Sequence, residues 1–387
     1  MTPYRSITLL LIALLLPFAC SRKKGEEFRR NGIDTVDWPI FRGDAALSGV
    51  AHGLLPDKPI LRWSFKTGSD IVSTPVVGSG RVYIGSTDKK VYALNLRDGR
   101  KLWEFNTGDS VEASPLFLDG TIYIGSLSGD FFALDAQNGE VRWKYKISNS
   151  VYGSANYMDR PNKQGRLVFV GSYDNRMYCL EADSGKLRWT YETNNYINGA
   201  PATNGKILVF GGCDARLHII SAEDGKQEAE VAIGSYIPGS AALAGNRAYV
   251  GSYSNKMVCI DTTDRKIVWQ YENREEGGAF FSSPAIGSDR LVVGSRDRFL
   301  HCIDRKTGQK IWTFPTRSEV DGSPVIVGDK VVFGSMDGRL YIVDLATGRQ
   351  SWSYEIGGAL TGSPAVAGGF ILIGSADGNL YAFGATP

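Results

Sequence analysis

Hydrophobic and polar positions repeat along nearly the whole chain with a period of about forty residues. Each period contains four short segments in which apolar and polar residues alternate, which is the pattern of half-buried β-strands. In one unit these segments read SPVIVG, VVFGS, LYIVD and QSWSY. Turn residues such as Asp337-Gly338 stand between them, since Asp and Gly tolerate the positive φ of tight hairpins. The pattern predicts an all-β protein.

Two recurring sequence elements give the number of repeat units. A Gly-Ser element occurs seven times, with Gly212 replacing the serine in one further copy, and its serines are Ser86, Ser126, Ser172, Ser252, Ser295, Ser335 and Ser375. A closing tryptophan also occurs seven times, with Ala229 at the eighth position, and these residues are Trp63, Trp103, Trp143, Trp189, Trp269, Trp312 and Trp352. Two longer spacings place their extra residues at 159–165 and 274–278, in turns. Because such a small unit cannot bury both faces alone, we predict an eight-bladed β-propeller of four-stranded blades over residues 38–387.

The two ends of the repeat predict how the ring closes. The last unit, from Ser363 to Phe383, contains only three strands. The segment from Ile60 to Phe65, which carries Trp63, is a fourth strand without a preceding unit. We therefore expect this N-terminal strand to complete the last blade.

The first residues predict export. An apolar run at 7–19 is too short to span a bilayer comfortably and is typical of a signal peptide, here residues 1–19. Ala19-Cys20 resembles the lipobox of bacterial lipoproteins, whereas Pro17 and Phe18 depart from its usual leucine and small residue. Residues 20–37 are polar and charged, as in a flexible tether. We expect a lipid on Cys20 to hold the protein at the periplasmic face of the outer membrane; the alternative is a soluble periplasmic protein.

Charge and residue clustering disfavour several classes of function. The 43 lysines and arginines nearly balance the 41 aspartates and glutamates, so the totals do not favour a nucleic-acid partner. No group of His, Cys, Asp or Glu has the spacing of a metal site. We expect neither a metal nor a nucleic acid to bind.

Residues that recur in most copies are assigned to the scaffold. We expect the tryptophans to be wedges between blades and the recurring hairpin aspartates to bond turn amides. These aspartates are Asp88, Asp174, Asp214, Asp297, Asp337 and Asp377. His218 and His301 occupy a position that is tyrosine in most other copies, so a packing role is expected. Three cysteines share one strand position and are expected to be buried free thiols, whereas the fourth, in a turn, is expected to be more exposed; they are Cys179, Cys259 and Cys302, and Cys213.

Residues that differ among the copies mark a candidate binding surface. The position just before each inner strand varies throughout, and its occupants are Val72, Glu112, Tyr152, Asn198, Pro238, Phe281, Asp321 and Thr361. An apolar residue precedes each of them and should turn it toward the mouth of the ring axis. The turns between second and third strands open on the same face. We predict a partner-binding face, because interfaces favour aromatic residues and arginine, composed of Glu112, Tyr152, Tyr173, Tyr196, Asn198, Tyr236, Tyr253, Phe281, Arg296 and Asp321. The alternative is that these residues only pack over a closed channel.

Two motifs carry a family resemblance. The ending that runs from Ala133-Leu134-Asp135 through Asn138-Gly139 to Trp143 resembles the repeat of propellers named after pyrroloquinoline quinone (PQQ) enzymes. The lead-in Trp38 to Gly43 also resembles that family, and the resemblance covers residues 37–383. Length, lipid signal and blade count together resemble the propeller lipoproteins of the outer-membrane β-barrel assembly machinery.

These resemblances imply different functions. The second implies a non-enzymatic, membrane-anchored scaffold for protein–protein interaction in outer-membrane protein assembly. Its partner would be a membrane-embedded β-barrel assembly subunit or unfolded outer-membrane proteins. The first implies a PQQ-dependent dehydrogenase, but such enzymes usually carry an adjacent cysteine pair and a calcium site, and this chain has no adjacent cysteine pair. We therefore expect no catalytic residues and no cofactor, and PQQ with calcium is disfavoured. A third alternative is a small-molecule or glycan binder that uses the aromatic residues at the axis mouth.

Overall fold

The computed structural model describes residues 37–160, 165–273 and 277–386. The predicted signal peptide, Cys20 and the tether up to residue 36 lie outside the described residues, as do parts of both predicted insertions. The described chain consists of strands and turns, and it contains no helix with the length and apolar character needed to cross a membrane.

The strands form eight sheets, which confirms the predicted all-β propeller with eight four-stranded blades. Two strands precede the first blade, β1 (Val50–Ala51) and β2 (Ile60–Lys66). Blades 1 and 2 contain β3 (Val76–Gly78), β4 (Arg81–Ser86), β5 (Lys90–Asn95), β6 (Lys101–Asn106), β7 (Leu116–Leu118), β8 (Thr121–Gly125), β9 (Asp130–Asp135) and β10 (Val141–Lys146). Blades 3 and 4 contain β11 (Asn156–Asp159), β12 (Arg166–Gly171), β13 (Arg176–Glu181), β14 (Leu187–Glu192), β15 (Ala202–Thr203), β16 (Ile207–Gly211), β17 (Arg216–Ser221) and β18 (Gln227–Ala232).

The second half of the ring has the same organisation. Blades 5 and 6 contain β19 (Ala242–Ala244), β20 (Arg247–Gly251), β21 (Lys256–Asp261), β22 (Lys266–Glu272), β23 (Ala285–Ile286), β24 (Arg290–Gly294), β25 (Phe299–Asp304) and β26 (Lys310–Pro315). Blades 7 and 8 contain β27 (Val325–Val327), β28 (Lys330–Gly334), β29 (Arg339–Asp344), β30 (Gln350–Glu355), β31 (Ala365–Ala367), β32 (Phe370–Gly374) and β33 (Asn379–Gly384). Each blade is antiparallel, and its first strand lies nearest the ring axis.

The N-terminal strand closes the ring, as the sequence predicted. β2 pairs antiparallel with β33 and brings Trp63 opposite Ala382, so blade 8 combines a strand that precedes blade 1 with the last three strands. This pairing removes the free edge that β33 would otherwise expose.

The same contacts recur at the interfaces between blades. The apolar residue before each inner strand packs against a glycine in the second strand of the preceding blade, from Val111 on Gly85 to Ile71 on Gly374, which spans the closure. At the opposite end of the interface, tryptophan rings lie over a glycine of the next blade. This glycine belongs to the turn between the third and fourth strands, for example where Trp103 lies over Gly139. These tryptophans are therefore wedges between blades, as predicted.

A belt of hydroxyl groups also joins the blades around the axis. The residue before the proline or alanine of the inner strand is serine in six blades and threonine in another. The backbone amide at this position donates to the serine hydroxyl of the next blade, for example from Thr74 to Ser114 (2.8 Å) and from Ser323 to Ser363 (2.9 Å). Because these groups are buried, the bonds also satisfy amides that could not reach water.

Residues 38–51, which we call the plug, run inside the axial channel. The amide at the second position of six inner strands donates to a plug carbonyl; the donors are Val77, Phe117, Thr203, Leu243, Ile286 and Ile326. β1, at the end of the plug, pairs in parallel with β27. The inner strands are edge strands with unpaired amides, and the plug provides acceptors for them.

Both ends of the plug lie at one face of the ring. Asp37 accepts a 3.5 Å hydrogen bond from the amide of Ser79, in the first hairpin of blade 1. Asp57, beyond the plug, pairs with Lys330 (3.1 Å), beside the corresponding hairpin of blade 7. We call this end of the ring the hairpin face and the other end the cup face. The plug therefore enters and leaves the channel at the hairpin face.

Candidate docking face

The eight varying positions before the inner strands meet around one cup at the end of the axis. The cup has a volume of about 180 Å³, and its rim consists of Val72, Glu112, Tyr152, Asn198, Pro238, Phe281, Asp321 and Thr361. The preceding apolar residues are all fully buried, which fixes the direction of the rim side chains. The hydroxyl belt lines the wall, and Phe41 of the plug closes the bottom. The axis mouth is therefore a blind cup rather than an open channel.

Three tyrosines form a stack along one side of the cup. The ring centroids of Tyr152 and Tyr173 are 4.3 Å apart, and those of Tyr173 and Tyr196 are 4.7 Å apart with nearly parallel planes. Burial is the main cause that raises the pKa of Tyr173 to about 12, and the nearby Tyr152 and Cys213 contribute less. The phenol therefore remains protonated at neutral pH and can donate a hydrogen bond.

The opposite side of the cup carries a cation held in place by two neighbours. The guanidinium of Arg296 lies 3.4 Å from the ring centroid of Phe281 and donates to both oxygens of Asp321, at 3.0 and 2.8 Å. The ring of Tyr253 packs against the same phenyl ring, with 5.7 Å between the two centroids. The hydrogen bonds to Asp321 raise the pKa of Arg296, so this side chain is a fixed positive charge.

Two further rim residues lack such partners. Glu112 makes no ion pair with any described residue, and burial raises the pKa of its carboxyl group. Asn198 donates through Nδ2 to the sulfur of Cys213 (3.0 Å), but its Oδ1 is buried and has no hydrogen-bond partner in the described chain. The cup therefore presents hydrogen-bond acceptors that the protein itself leaves unpaired.

Large aromatic side chains project from this face into solvent. The exposed fractions are 44% for Tyr196, 54% for Tyr236 and 56% for Tyr253. Tyr196 is held flat against Tyr173, and Tyr253 is held against Phe281. Tyrosines that are exposed yet supported from behind are typical anchors of protein interfaces. The structure thus brings all ten predicted face residues to one end of the ring.

The hairpin aspartates bond turn amides, as expected, and they also accept a second hydrogen bond from a side chain. In four blades the aspartate accepts from a turn amide and also from a tyrosine hydroxyl four residues later, as Asp337 does from Arg339 (3.0 Å) and Tyr341 (2.7 Å). His301 takes the place of that tyrosine in blade 6, with Nε2 2.9 Å from Asp297. The predicted packing role of the histidines is therefore incomplete, because His218 and His301 also preserve the hydrogen bond to the hairpin aspartate. In the described ranges, no three His, Cys, Asp or Glu side chains form a group able to hold a metal.

The cysteines lie where the sequence placed them. Cys179, Cys259 and Cys302 are buried and free, while Cys213 is partly exposed beside the tyrosine stack. Burial raises the pKa of Cys259 to about 11 and that of Cys302 to about 12, so both remain neutral thiols.

Comparison with known proteins agrees with the propeller fold. A family model described as outer membrane protein assembly factor BamB matches residues 57–164, 154–231 and 229–387. The chain is similar to the crystal structure of BamB from Moraxella catarrhalis, with 22% identity, a TM-score of 0.70, and coverage of 85% of this chain and 98% of that one. Among curated proteins, no sequence matches.

Two enzymes share the fold at lower identity. Quinohemoprotein alcohol dehydrogenase from Comamonas testosteroni is 14% identical with a TM-score of 0.75, covering 94% of this chain and 83% of its own. A europium-containing methanol dehydrogenase is also 14% identical with a TM-score of 0.75, covering 93% and 100%. At such identities the likeness concerns the fold alone. The family model spans most of the described propeller, and the chain therefore belongs to the outer membrane protein assembly factor BamB family.

Proposed function

We propose that this protein is a non-enzymatic scaffold in outer-membrane protein assembly and that its cup face docks a protein partner. The observation that carries this proposal is the set of exposed, supported tyrosines around a closed cup. Family membership favours the biological process, since the family is described as an outer membrane protein assembly factor. The partner is a membrane-embedded subunit of the barrel-assembly machinery or an unfolded outer-membrane protein.

The physical basis for docking is preorganisation. Tyr196 and Tyr253 already lie against Tyr173 and Phe281, so little side-chain entropy is lost when a partner covers them. Arg296, fixed by Asp321 and Phe281, offers a charged contact whose geometry does not change on binding. A rigid aromatic surface of this kind favours slow dissociation once water has been excluded.

Attachment to the membrane is the second part of the proposal. A lipid on Cys20 would hold the protein at the periplasmic face of the outer membrane. The propeller begins at Asp37 on the hairpin face, opposite the cup. This position of Asp37 is compatible with docking at the cup by a protein anchored through its N-terminal segment. Labelling with a radioactive fatty acid tests this part: label is expected in wild type and absent in Cys20→Ala, and equal labelling would contradict it.

The residues of the cup do not fit PQQ, the cofactor that the wider fold family implies. PQQ is a rigid three-ring tricarboxylate, and binding it requires basic side chains. The cup of about 180 Å³ has Glu112 and Asp321 in its lining and no Lys, Arg or His among the described lining residues. Arg296 compensates Asp321, but Glu112 has no cationic partner among the described residues, so the cup offers a tricarboxylate no free cation and one repelling carboxylate. We therefore assign no quinone chemistry to this site.

Photocrosslinking in the intact cell envelope tests docking directly. A photoreactive phenylalanine analogue at Tyr196 or Tyr253 is expected to capture an outer-membrane protein or a barrel-assembly subunit, identified by mass spectrometry. The matched control is the same analogue at Glu140, an exposed residue in a hairpin-face turn. Capture of the same protein at equal yield from Glu140, or of no such protein from either tyrosine, would overturn the proposal.

A further inference from the structure

The chemistry of the cup suggests what it accepts. Its lining contains two carboxylates and no basic side chain among the described residues. Asp321 is paired with Arg296, which stands beside the lining, but Glu112 makes no ion pair with any described residue. The asymmetry leaves one uncompensated negative charge at the mouth of the ring.

The unpaired groups of the cup carry an energetic cost. A partly buried carboxylate loses hydration, and a buried amide oxygen without a donor loses a hydrogen bond. Glu112 belongs to the first kind and Asn198 Oδ1 to the second. A ligand that brings positive charge and several donors would remove both penalties at once.

Size and shape favour a primary ammonium group. The volume of about 180 Å³ equals roughly six waters at ~30 Å³ each, enough for an ammonium group with part of its hydration shell. The acceptors stand on separate blades, Glu112 on blade 2 and Asn198 on blade 4. An ammonium group has three donors that point in different directions, whereas a guanidinium is a planar fork suited to one carboxylate.

The rim also suits the rest of a lysine side chain. Tyr152 stands between the two acceptors in chain order and lines the cup. The methylene groups of lysine pack well along such a ring, and its ammonium group is attracted to an aromatic face. We propose, as a deepening of the docking function on which it rests, that the cup receives the side chain of a lysine from the docked protein.

The test uses the full-length protein and two small probes. They are Nα-acetyl-lysine methylamide and the uncharged, similarly shaped Nα-acetyl-norleucine methylamide. The lysine probe is expected to shift the side-chain amide NMR signal of Asn198 saturably at millimolar concentration, and the norleucine probe is expected to leave it unchanged. Equal shifts from the two probes would overturn the proposal.

Matched variants identify the residue responsible. Glu112→Gln is expected to weaken binding of the lysine probe by at least about tenfold, because a charge-assisted hydrogen bond is lost. Since this change also removes a partly buried charge, the folded protein should melt no lower than wild type. Glu140→Gln, on the hairpin face, is expected to bind the probe like wild type. Unchanged affinity in Glu112→Gln would overturn the proposal.

The outcome for the cup is separable from that for docking. If the lysine probe does not bind but Tyr253 still crosslinks its partner, the lysine proposal is wrong and the docking function stands. If the probe binds through Glu112 but neither Tyr196 nor Tyr253 captures an outer-membrane or assembly protein, the cup accepts ammonium groups and the docking function is wrong.

Discussion

The indole of Trp103 lies directly over Gly139 of the next blade, where a Cβ atom would come within 2.8 Å of the ring. The indole nitrogen donates to the carbonyl of Ala136 in the same turn (3.1 Å). Gly139 adopts φ +78°, so its conformation and its lack of a side chain are both required. The pair thus links the geometry of one turn to the position of a tryptophan in the neighbouring blade.

Replacing Gly139 should reduce stability by more than the backbone strain alone would. Gly139→Ala is expected to lower the free energy of unfolding by about 2–4 kcal/mol, combining left-handed strain with overlap against Trp103. Gly120→Ala is the matched control, because Gly120 has φ +71° but no atom within 4 Å of the added Cβ. Its expected cost is about 1 kcal/mol. Urea unfolding measures both, and equal losses would show that the indole contact contributes nothing.

The single missing tryptophan predicts a compensating pair. Ala229 replaces tryptophan in blade 4, and Arg265 with φ +61° replaces the glycine of the following turn. Ala229→Trp alone is expected to give no gain in stability, because Arg265 carries a side chain where the indole would lie. The double variant Ala229→Trp, Arg265→Gly is expected to be more stable than wild type. A double-mutant cycle should give a favourable coupling of about 1–3 kcal/mol, and additive effects would contradict this prediction.

The buried pair of Asp297 and His301 predicts a dependence of stability on pH. Burial raises the pKa of Asp297, but the hydrogen bonds from His301 and Asn273 outweigh it and leave the pKa below its ordinary value. A depressed carboxyl pKa stabilises the fold above the unfolded value of about 3.9, and this contribution is lost as the pH falls through the folded value. Asp297→Asn is therefore expected to cost roughly 1–3 kcal/mol at pH 7, where it removes the ionised partner of His301, and less below about pH 4.

The control for this variant is an exposed aspartate in the same blade. The side chain of Asp289 is 71% exposed and lies 3.6 Å from Arg290. Asp289→Asn is expected to change the unfolding free energy by less than about 0.5 kcal/mol at either pH. A pH-independent cost in Asp297→Asn would assign the loss to packing rather than to the ionised carboxylate.

The plug predicts different effects for two leucines close in sequence. Leu47 is fully buried in the channel, whereas Leu54 is 86% exposed. Leu47→Ala is expected to destabilise the protein by about 2–4 kcal/mol, and Leu54→Ala by less than about 0.5 kcal/mol. Hydrogen exchange should also accelerate at the amides of Thr203 and Leu243 in Leu47→Ala, because both donate to plug carbonyls. Unchanged exchange at these amides would contradict a stabilising role for the plug.

The repeating part of this molecule was predictable because one chain contains eight versions of the same unit. Any residue required by a blade recurs, so the positions of Trp103 and Asp337 could be assigned by comparison within the sequence. The same comparison located the cup, since Glu112 and Asn198 stand where the copies disagree. It also contained a signal that was missed: a histidine four residues after Asp297 retains a partner for the carboxylate where tyrosine stands in other blades.

The remaining features depend on distances that no repeat encodes. The plug occurs once, so it had no second copy for comparison, and its fit depends on the width of the finished channel. The stack of Tyr152, Tyr173 and Tyr196 and the pair of Arg296 with Asp321 join neighbouring blades. Their contacts follow from how far apart the blades stand, which the spacing of residues along the chain does not specify.

The closure of blade 8 has a consequence for the order of folding. β2 needs β33 as its partner, and the plug needs the inner strands of blades made from residues up to Val327. During synthesis these N-terminal segments emerge first, whereas the partners of the plug emerge gradually from Val77 to Val327 and β33 emerges last. The ring can therefore close only after translation of almost the entire chain, and a nascent protein cut short before Asn379 would leave β2 without a strand to join.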